Sequence, residues 1–471
     1  MMRVPPAVLA LAVALQACAV GPRYQAPATP AAAAGPFVST APAATDQPPP
    51  ENWWRLYQDP ALDQLVGQAL TQNQSLKVAA ANLAYAQALL DEARAGRYPS
   101  TSLSAGGSYG RSGNALLNAA PAAWAYTAGF TASYQVDLFG RIRRAVEQAS
   151  ANVEATRAAR DVARVTVAAA TAGAYVNICG LGEQIDVARR SLAEVQETYD
   201  ITRRQLDAGA VSSFDVSRQG VLLEQARAAI APLEGQRRSF VFALAALVGR
   251  TPTELPSSAL MCRVAPRLDR PLPVGDGAAL LRRRPDIRQA EHTLAAQTAG
   301  IGVATADLYP TITLGGSAAS AAGNIGQLFS YPNTAYSLGP LITWTFPNVL
   351  VARAHILEAR AQTAGALAAF NQTVLLALQE TEQALATLAA ELDHHQALAA
   401  ASKNADEALK LAQIQYDAGT ASGLDRLTAE ATAIAADQAL AASDQAIAVD
   451  QVAVFQALGG GWESAPAVSS P

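Results

Sequence analysis

Charge is scarce in this chain: 15% of its 471 residues are Asp, Glu, Lys or Arg, and the formal net charge is −5. No basic footprint for nucleic acid is therefore expected. Histidine is rarer still, with four in all (His292, His355, His394 and His395), beside three cysteines. No HExxH, CxxC or glycine-rich phosphate loop occurs, so metal catalysis and nucleotide hydrolysis lack the residues that carry them. Neither a metal nor a cofactor is expected. The neighbours His394 and His395 point to different faces of a helix and read as solvated. After the N-terminal segment no helical stretch of 18 apolar residues stands out, which leaves no obvious helix to cross a bilayer.

What the chain does have is a repeat. QLDAGAVSSFD (Gln205 to Asp215) returns as QYDAGTASGLD (Gln415 to Asp425), 210 residues on. At an offset of 211, Arg97, Tyr98 and Pro99 lie under Leu308, Tyr309 and Pro310, and Ser75, Leu76 and Lys77 under Asp286, Ile287 and Arg288. Phe139 matches Phe346, and Leu247 and Gly249 match Leu458 and Gly460. Each half reads helix, strand pair, very long helix, tight turn, shorter helix, so the two halves are copies of one unit. The fold class is mainly α with a small β part. The layout is 1–17 signal, 18–60 tether and adjoining segment, 61–250 first repeat, 251–275 linker, 276–461 second repeat and 462–471 tail.

The N-terminus carries Arg3, an apolar run from Val4 to Leu15, and then Gln16, Ala17 and Cys18. This resembles a bacterial lipoprotein signal cleaved before Cys18, the alternative being an ordinary signal with a chance cysteine. Acylation of Cys18 would give a stable anchor, and Ala19 after it implies sorting to the outer membrane. Residues 26–50, rich in Ala, Pro, Thr and Ser, read as a tether that cannot fold alone. The tail from Ser464 reads the same way.

From Trp124 to Leu138 the even positions are apolar or aromatic (Trp124, Tyr126, Phe130, Tyr134, Val136) while the odd ones include Thr127, Thr131, Ser133 and Gln135. The second half repeats this with Tyr336, Leu338, Ile342, Trp344 and Phe346 against Ser337, Gly339 and Thr343. Shorter partners precede each, near 100–110 and 311–314. Alternating segments of about ten residues with aromatic ends are the signature of transmembrane β-strands; a soluble antiparallel sheet alternates equally well. Four strands cannot close a barrel, so an oligomer would have to share it. Two chains give eight strands, three give twelve.

Between Phe139 and Asp207 no proline interrupts the helical pattern, and some 65 residues at about 1.5 Å each span roughly 100 Å. Ile178, Leu181, Ile185, Ala188, Leu192, Val195, Tyr199, Thr202 and Leu206 keep a 3,4 spacing, the seam of a coiled coil. Leu378, Leu385, Leu388 and Leu392 give a similar seam in the second half. Return helices are predicted near Ser213 to Val248 and Gly423 to Leu458, and shorter helices end at Tyr98 and Tyr309. In LLRRRPDIRQAE (Leu280 to Glu291), Pro285 and Asp286 suit a first helical turn. Arg282 to Arg284 read as a solvated or ion-paired surface. Helix rise brings Cys179 and Cys262 to a similar height, which predicts a disulfide, against a pair of free buried thiols.

Together these residues resemble the outer membrane factor family, the TolC-like and NodT-like efflux channels. The carriers are CAVGPRYQAP (Cys18 to Pro27), NWWRLYQDPALDQLV (Asn52 to Val66), DLFGR (Asp137 to Arg141), LRRRPDIRQAE with IGVATADLYP (Ile301 to Pro310), and YDAGTASGLD (Tyr416 to Asp425). The resemblance implies a homotrimer with a twelve-stranded outer-membrane barrel and a periplasmic α-barrel. It implies a passive exit duct, docked through a periplasmic adaptor onto an inner-membrane pump. A duct for type I protein secretion is the alternative, and a lipid-anchored periplasmic scaffold a further one; no enzymatic site is apparent.

Gly209 and Gly419 fall where a left-handed residue ends a long helix. Ser212 with Asp215, and Ser422 with Asp425, have capping-box spacing for the return helices. Capping alone would account for these aspartates. The resemblance adds that Asp425 occupies the position of an acidic constriction at the closed periplasmic tip, with Leu424 or Leu427 beside it. Where the family often has a second Asp this chain has Thr428. Carboxylates converging on an axis would raise one another's pKa and attract cations.

Overall fold

The computed structural model describes residues 19–28, 31–39, 44–111, 122–254, 261–268, 270–344, 346 and 349–463. The expected signal, the acylation at Cys18 and the tail from Ser464 lie outside these residues.

The Asp59 carboxylate accepts from the N–H groups of Ala61 and Leu62 at 2.8 and 3.2 Å and starts α1 (Pro60–Gln72). Asn73 does the same for Ser75 and Leu76, starting α2 (Gln74–Ala95). Then come β1 (Ser100–Gly110), β2 (Ala123–Val136), α3 (Arg141–Asp207) and α4 (Ser213–Leu247). After the linker follow α5 (Gly277–Arg283), α6 (Pro285–Ala306), β3 (Thr311–Ala322), β4 (Thr334–Thr343), α7 (Val349–Asp417) and α8 (Gly423–Ala457). Helices α2 and α6 are both 22 residues long and begin 211 residues apart; α4 and α8 are both 35 and begin 210 apart. The duplication is thus structural. The short helices end three residues before Tyr98 and Tyr309, which lie in closing turns. In the second half the strand order of length inverts, β3 having 12 residues and β4 ten.

The compact units cut across the repeats. One comprises the chain up to Pro27, Asn82–Arg157 and Gln289–Asn371; the other comprises Ala28–Ala81, Ala158–Arg288 and from Gln372 on. Neither repeat folds as a unit by itself, because each unit draws strands or helices from both.

The first unit holds a four-stranded antiparallel sheet in the order β1-β2-β3-β4. Two hairpins, β1-β2 and β3-β4, are joined at β2 and β3, where Val136 faces Ile312 and Tyr126 faces Ala322. Below the sheet Leu83, Ala86 and Leu90 of α2 pack on Val146 and Val153 of α3.

The second unit holds the main core. Trp53, Trp54, Tyr57, Leu62, Leu65, Val66 and Leu70 bury against Ala168, Ala172, Val176 and Ile178 of α3 and Val452 and Phe455 of α8. Trp53 stacks on Phe455 at 4.9 Å. The seam residues Ile178, Leu181, Ile185, Ala188 and Val195 are buried, as are Leu385 and Leu388.

Four expectations are corrected here. Helix α3 does contain an 18-residue window apolar enough to cross a membrane, with mean hydropathy 1.4; 78% of it is buried inside the protein, because it lines the core. The supposed tether is laid onto the second unit. Phe37 enters the core, the N–H groups of Val38 and Ser39 donate to the Glu382 carboxylate at 2.7 Å, and Ala44–Thr45 pairs in parallel with Leu272–Pro273. Arg284 is ion-paired as expected, with Asp286 and Glu380, but it is buried and not at the surface. It donates to Asp286, to Glu380 at 2.7 Å and to the Ala457 carbonyl at 2.8 Å, since a guanidinium out of water needs every donor matched. His395 is paired, its Nε2 2.9 Å from Asp444 Oδ1, where Arg267 also binds. His394 stays exposed beside Glu391.

Candidate functional site

In the sheet, pairing without a slip puts the same face of every strand in line. Tyr109 faces Trp124, Leu103 faces Phe130, Tyr134 faces Leu314, Ile312 faces Ile342 and Ala318 faces Tyr336. The other face is lined by hydroxyls, with Ser102 and Thr131 at 2.7 Å and Ser317 and Ser337 at 2.8 Å; Leu341 is an exception on it. The apolar face is bare. Leu103 is 82% exposed, Tyr336 86% and Leu338 88%. At one end Trp124 stacks on Tyr126 and Tyr109 lies tilted against Trp124, each ring 5.6 Å from the next. At the other end Phe139 stacks on Tyr309 at 4.5 Å and Trp344 lies 5.2 Å from Phe346. An apolar band between two aromatic rows is the form of a lipid-facing barrel wall. Among the described residues β1 and β4 are both edge strands of this sheet.

The second unit carries the two turns. Gly209 (φ 77°) and Gly419 (φ 73°) end α3 and α7 in left-handed geometry. The next residues, Ala210 and Thr420, donate back to the carbonyls of Gln205 and Gln415 at 2.9 Å or less, which completes a Schellman stop. Ser212 then caps α4: its N–H donates to Asp215 Oδ2 at 3.0 Å, and its Oγ accepts from the Asp215 N–H at 3.3 Å. Ser422 and Asp425 repeat this on α8 at 2.9 and 3.2 Å. Hydrogen bonds from the serine hydroxyl and N–H hold both carboxyls below the usual aspartate range. In a single chain the cap therefore works against the upward shift expected from convergence.

The turns also meet. Tyr416 donates its hydroxyl to Gln205 Oε1 at 3.1 Å, and the Arg426 guanidinium lies over the Tyr416 ring at 5.0 Å. Leu424, Leu427, Asp215, Arg218 and Gln219 border the small cavity between them. Leu424 is exposed, Leu427 half-buried. One turn further along α8, Glu430 is buried; desolvation pushes its carboxyl up, against the pull of Arg426, Thr198 and Gln219. These partners were not anticipated from sequence. The signal was available, however, in the places where the repeats disagree: Tyr416 replaces Leu206, Arg426 replaces Val216 and Glu430 replaces Gly220.

Cys179 and Cys262 form a disulfide, with Cα atoms 4.8 Å apart. Arg237 reinforces it, donating to the carbonyls of Ile178 at 3.1 Å and Cys262 at 3.3 Å.

The model of the family described as outer membrane efflux protein matches residues 65–250 and again 278–460. The chain belongs to that family. The two matches fall on the two repeats. The chain is 30% identical over 386 residues to the antibiotic efflux pump outer membrane protein ArpC of Pseudomonas putida, covering 79% of this chain and 78% of the relative. It is 31% identical over 391 residues to nodulation protein T of Rhizobium leguminosarum bv. viciae, covering 80% and 77%. Among solved structures the outer-membrane channel OprN superposes with a TM-score of 0.88 at 34% identity, covering 94% of this chain and all of that one. This efflux protein is an outer-membrane channel of TolC-like fold, mainly α with a small β part.

Proposed function

We propose that the chain acts as a homotrimer, the passive exit duct of a tripartite efflux system. The open sheet carries this reading. Four strands with two edge strands, β1 and β4, and a bare apolar face need copies of themselves to satisfy their backbone groups in lipid. β1 of one copy pairing with β4 of the next closes a ring. Three copies give twelve strands, wide enough for a water-filled interior, whereas eight strands leave room only for side chains. The hydroxyl-lined face then faces water. Cys18 is acylated in this reading, and an inner-membrane pump is reached through a periplasmic adaptor; the chain itself performs no catalysis.

The turns at Gly209 and Gly419 form the periplasmic end in this reading, where Asp425, with Leu424 and Leu427, narrows the passage. Purification in detergent with light scattering tests the assembly: a mass of three chains is expected, and a detergent-free monomer would overturn it. Planar-bilayer recording tests the constriction. Asp425→Ala is expected to change conductance, its pH response and cation block; a channel unchanged in all three removes Asp425 from the gate.

A further inference from the structure

Three stretches that carried the family resemblance, far apart in sequence, converge in the first unit. They are the segment after Cys18, DLFGR (Asp137 to Arg141) and IGVATADLYP (Ile301 to Pro310). Asp137 accepts from the N–H groups of Ile142 and Arg143 at 3.0 and 2.9 Å and so starts α3 at the foot of β2. Gly140 (φ 78°) turns the chain there, and Phe139 stacks on Tyr309. Onto this junction the N-terminal segment is strapped. Val20 donates its N–H to the Phe139 carbonyl at 3.2 Å. The buried Arg144 donates to the carbonyls of Val20 at 3.1 Å and Gly21 at 3.2 Å and is charge-balanced by Glu147 at 2.8 Å.

The backbones approach too closely for side chains. A Cβ on Gly140 would meet Ala19 Cα at 2.7 Å, and one on Gly21 (φ 90°) would meet Gly302 Cα at 2.5 Å. A Cβ on Gly302 would in turn strike the Arg144 side chain at 2.7 Å. Three residues further on, Tyr24 donates to Glu291 Oε1 at 3.2 Å. A tether needs none of this, because reach alone would serve it.

We propose that Arg144, with Gly21, Gly140 and Gly302, is a clasp that fixes the acyl anchor in register with the foot of the sheet, so that the lipid surface is delivered to the strands as they insert. Arg144 is a positioning residue: it touches the backbone beside the anchor and acts through it. The proposal rests on the acylation of Cys18 argued above. The stacked aromatic pair Phe139 and Tyr309 is part of the same junction.

The test uses the full chain exported in a bacterium with an outer membrane, followed by pulse labelling and by the appearance of protease-resistant, membrane-inserted protein. Labelling with an alkynyl fatty acid reports Cys18. Gly21→Ala and Arg144→Ala are each expected to keep the label yet insert about tenfold more slowly, the scale of losing a charge-assisted hydrogen bond. The Cys179–Cys262 disulfide in the second unit, read by thiol alkylation, shows whether a variant has folded. The deciding comparison is with a Cys18→Ser chain exported from a non-lipoprotein signal. There Gly21→Ala should cause no further delay, since no anchor remains to be placed. Equal delays with and without the lipid would make the clasp merely structural, and wild-type rates in both labelled variants would remove it. A wild-type chain without label overturns the acylation and the clasp together, whereas a labelled chain with a silent Gly21→Ala overturns the clasp alone.

Discussion

Ser422 and Asp425 show how one residue pair serves local structure before any assembly forms. The serine Oγ accepts the helix's own N–H while the carboxylate accepts the serine N–H, so two unpaired donors are matched reciprocally. Ser422→Ala should cost about 1 kcal/mol at this helix start, read as faster amide exchange over the first turn of α8. Because the cap depresses the folded pKa of Asp425 and Asp215 below the unfolded value, their contribution is complete above the ordinary aspartate pKa. It is lost as pH falls through the depressed value. Protection at both helix starts should hold from neutral pH down to about 4 and fail below. Asp450 runs the other way. Burial, then the nearby Glu391 carboxylate, raise its pKa to about 6, so it favours folding while protonated and loses that contribution as pH rises from about 4 through 6. Asp450→Asn should flatten the melting temperature across that interval; an unchanged slope would show that the carboxyl titrates normally.

Each secondary element here has a face assigned by period, and the two periods solve different problems. In the sheet the period of two separates Leu338 from Ser337, neighbours in sequence on opposite faces. Leu338→Arg places a charge against hydrocarbon and should cost about 2–4 kcal/mol near the midplane; Ser337→Arg, on the hydroxyl-lined face, should insert normally and alter ion selectivity. The measurement is the inserted fraction in vesicles together with reversal potential. Similar inserted fractions for both variants would undo the assignment of faces. In α3 the 3,4 spacing places Ile178, Leu181 and Ile185 in the interior. Composition alone would let part of the same helix pass for a membrane span, and burial decides otherwise. The period tells which residues leave water, and not whether protein or lipid receives them.

For the whole molecule the disulfide between Cys179 and Cys262 is the longest covalent constraint among the described residues, closing a loop of 83 positions. It ties the linker after α4 back onto α3. Reduction, or Cys262→Ser, should lower stability by about 2–4 kcal/mol, read as a shift of the denaturation midpoint; an unchanged midpoint would mean that Arg237 and the surrounding core hold the linker unaided. The repeat, the helix lengths, the turn at each DAG, the alternation in the strands and the absence of a catalytic motif were all set by sequence, because period, glycine stops and cap spacing are local rules that do not depend on a neighbour. Tertiary structure decided what meets what. It brought the residue after Cys18 to Gly140, placed Phe37 and Arg284 in the interior, paired His395 with Asp444 and joined the two turns through Tyr416 and Gln205. None of these follows from a local pattern, since contacts between residues from 49 positions apart, as for His395 and Asp444, to 211 apart, as for Tyr416 and Gln205, depend on how distant elements pack together.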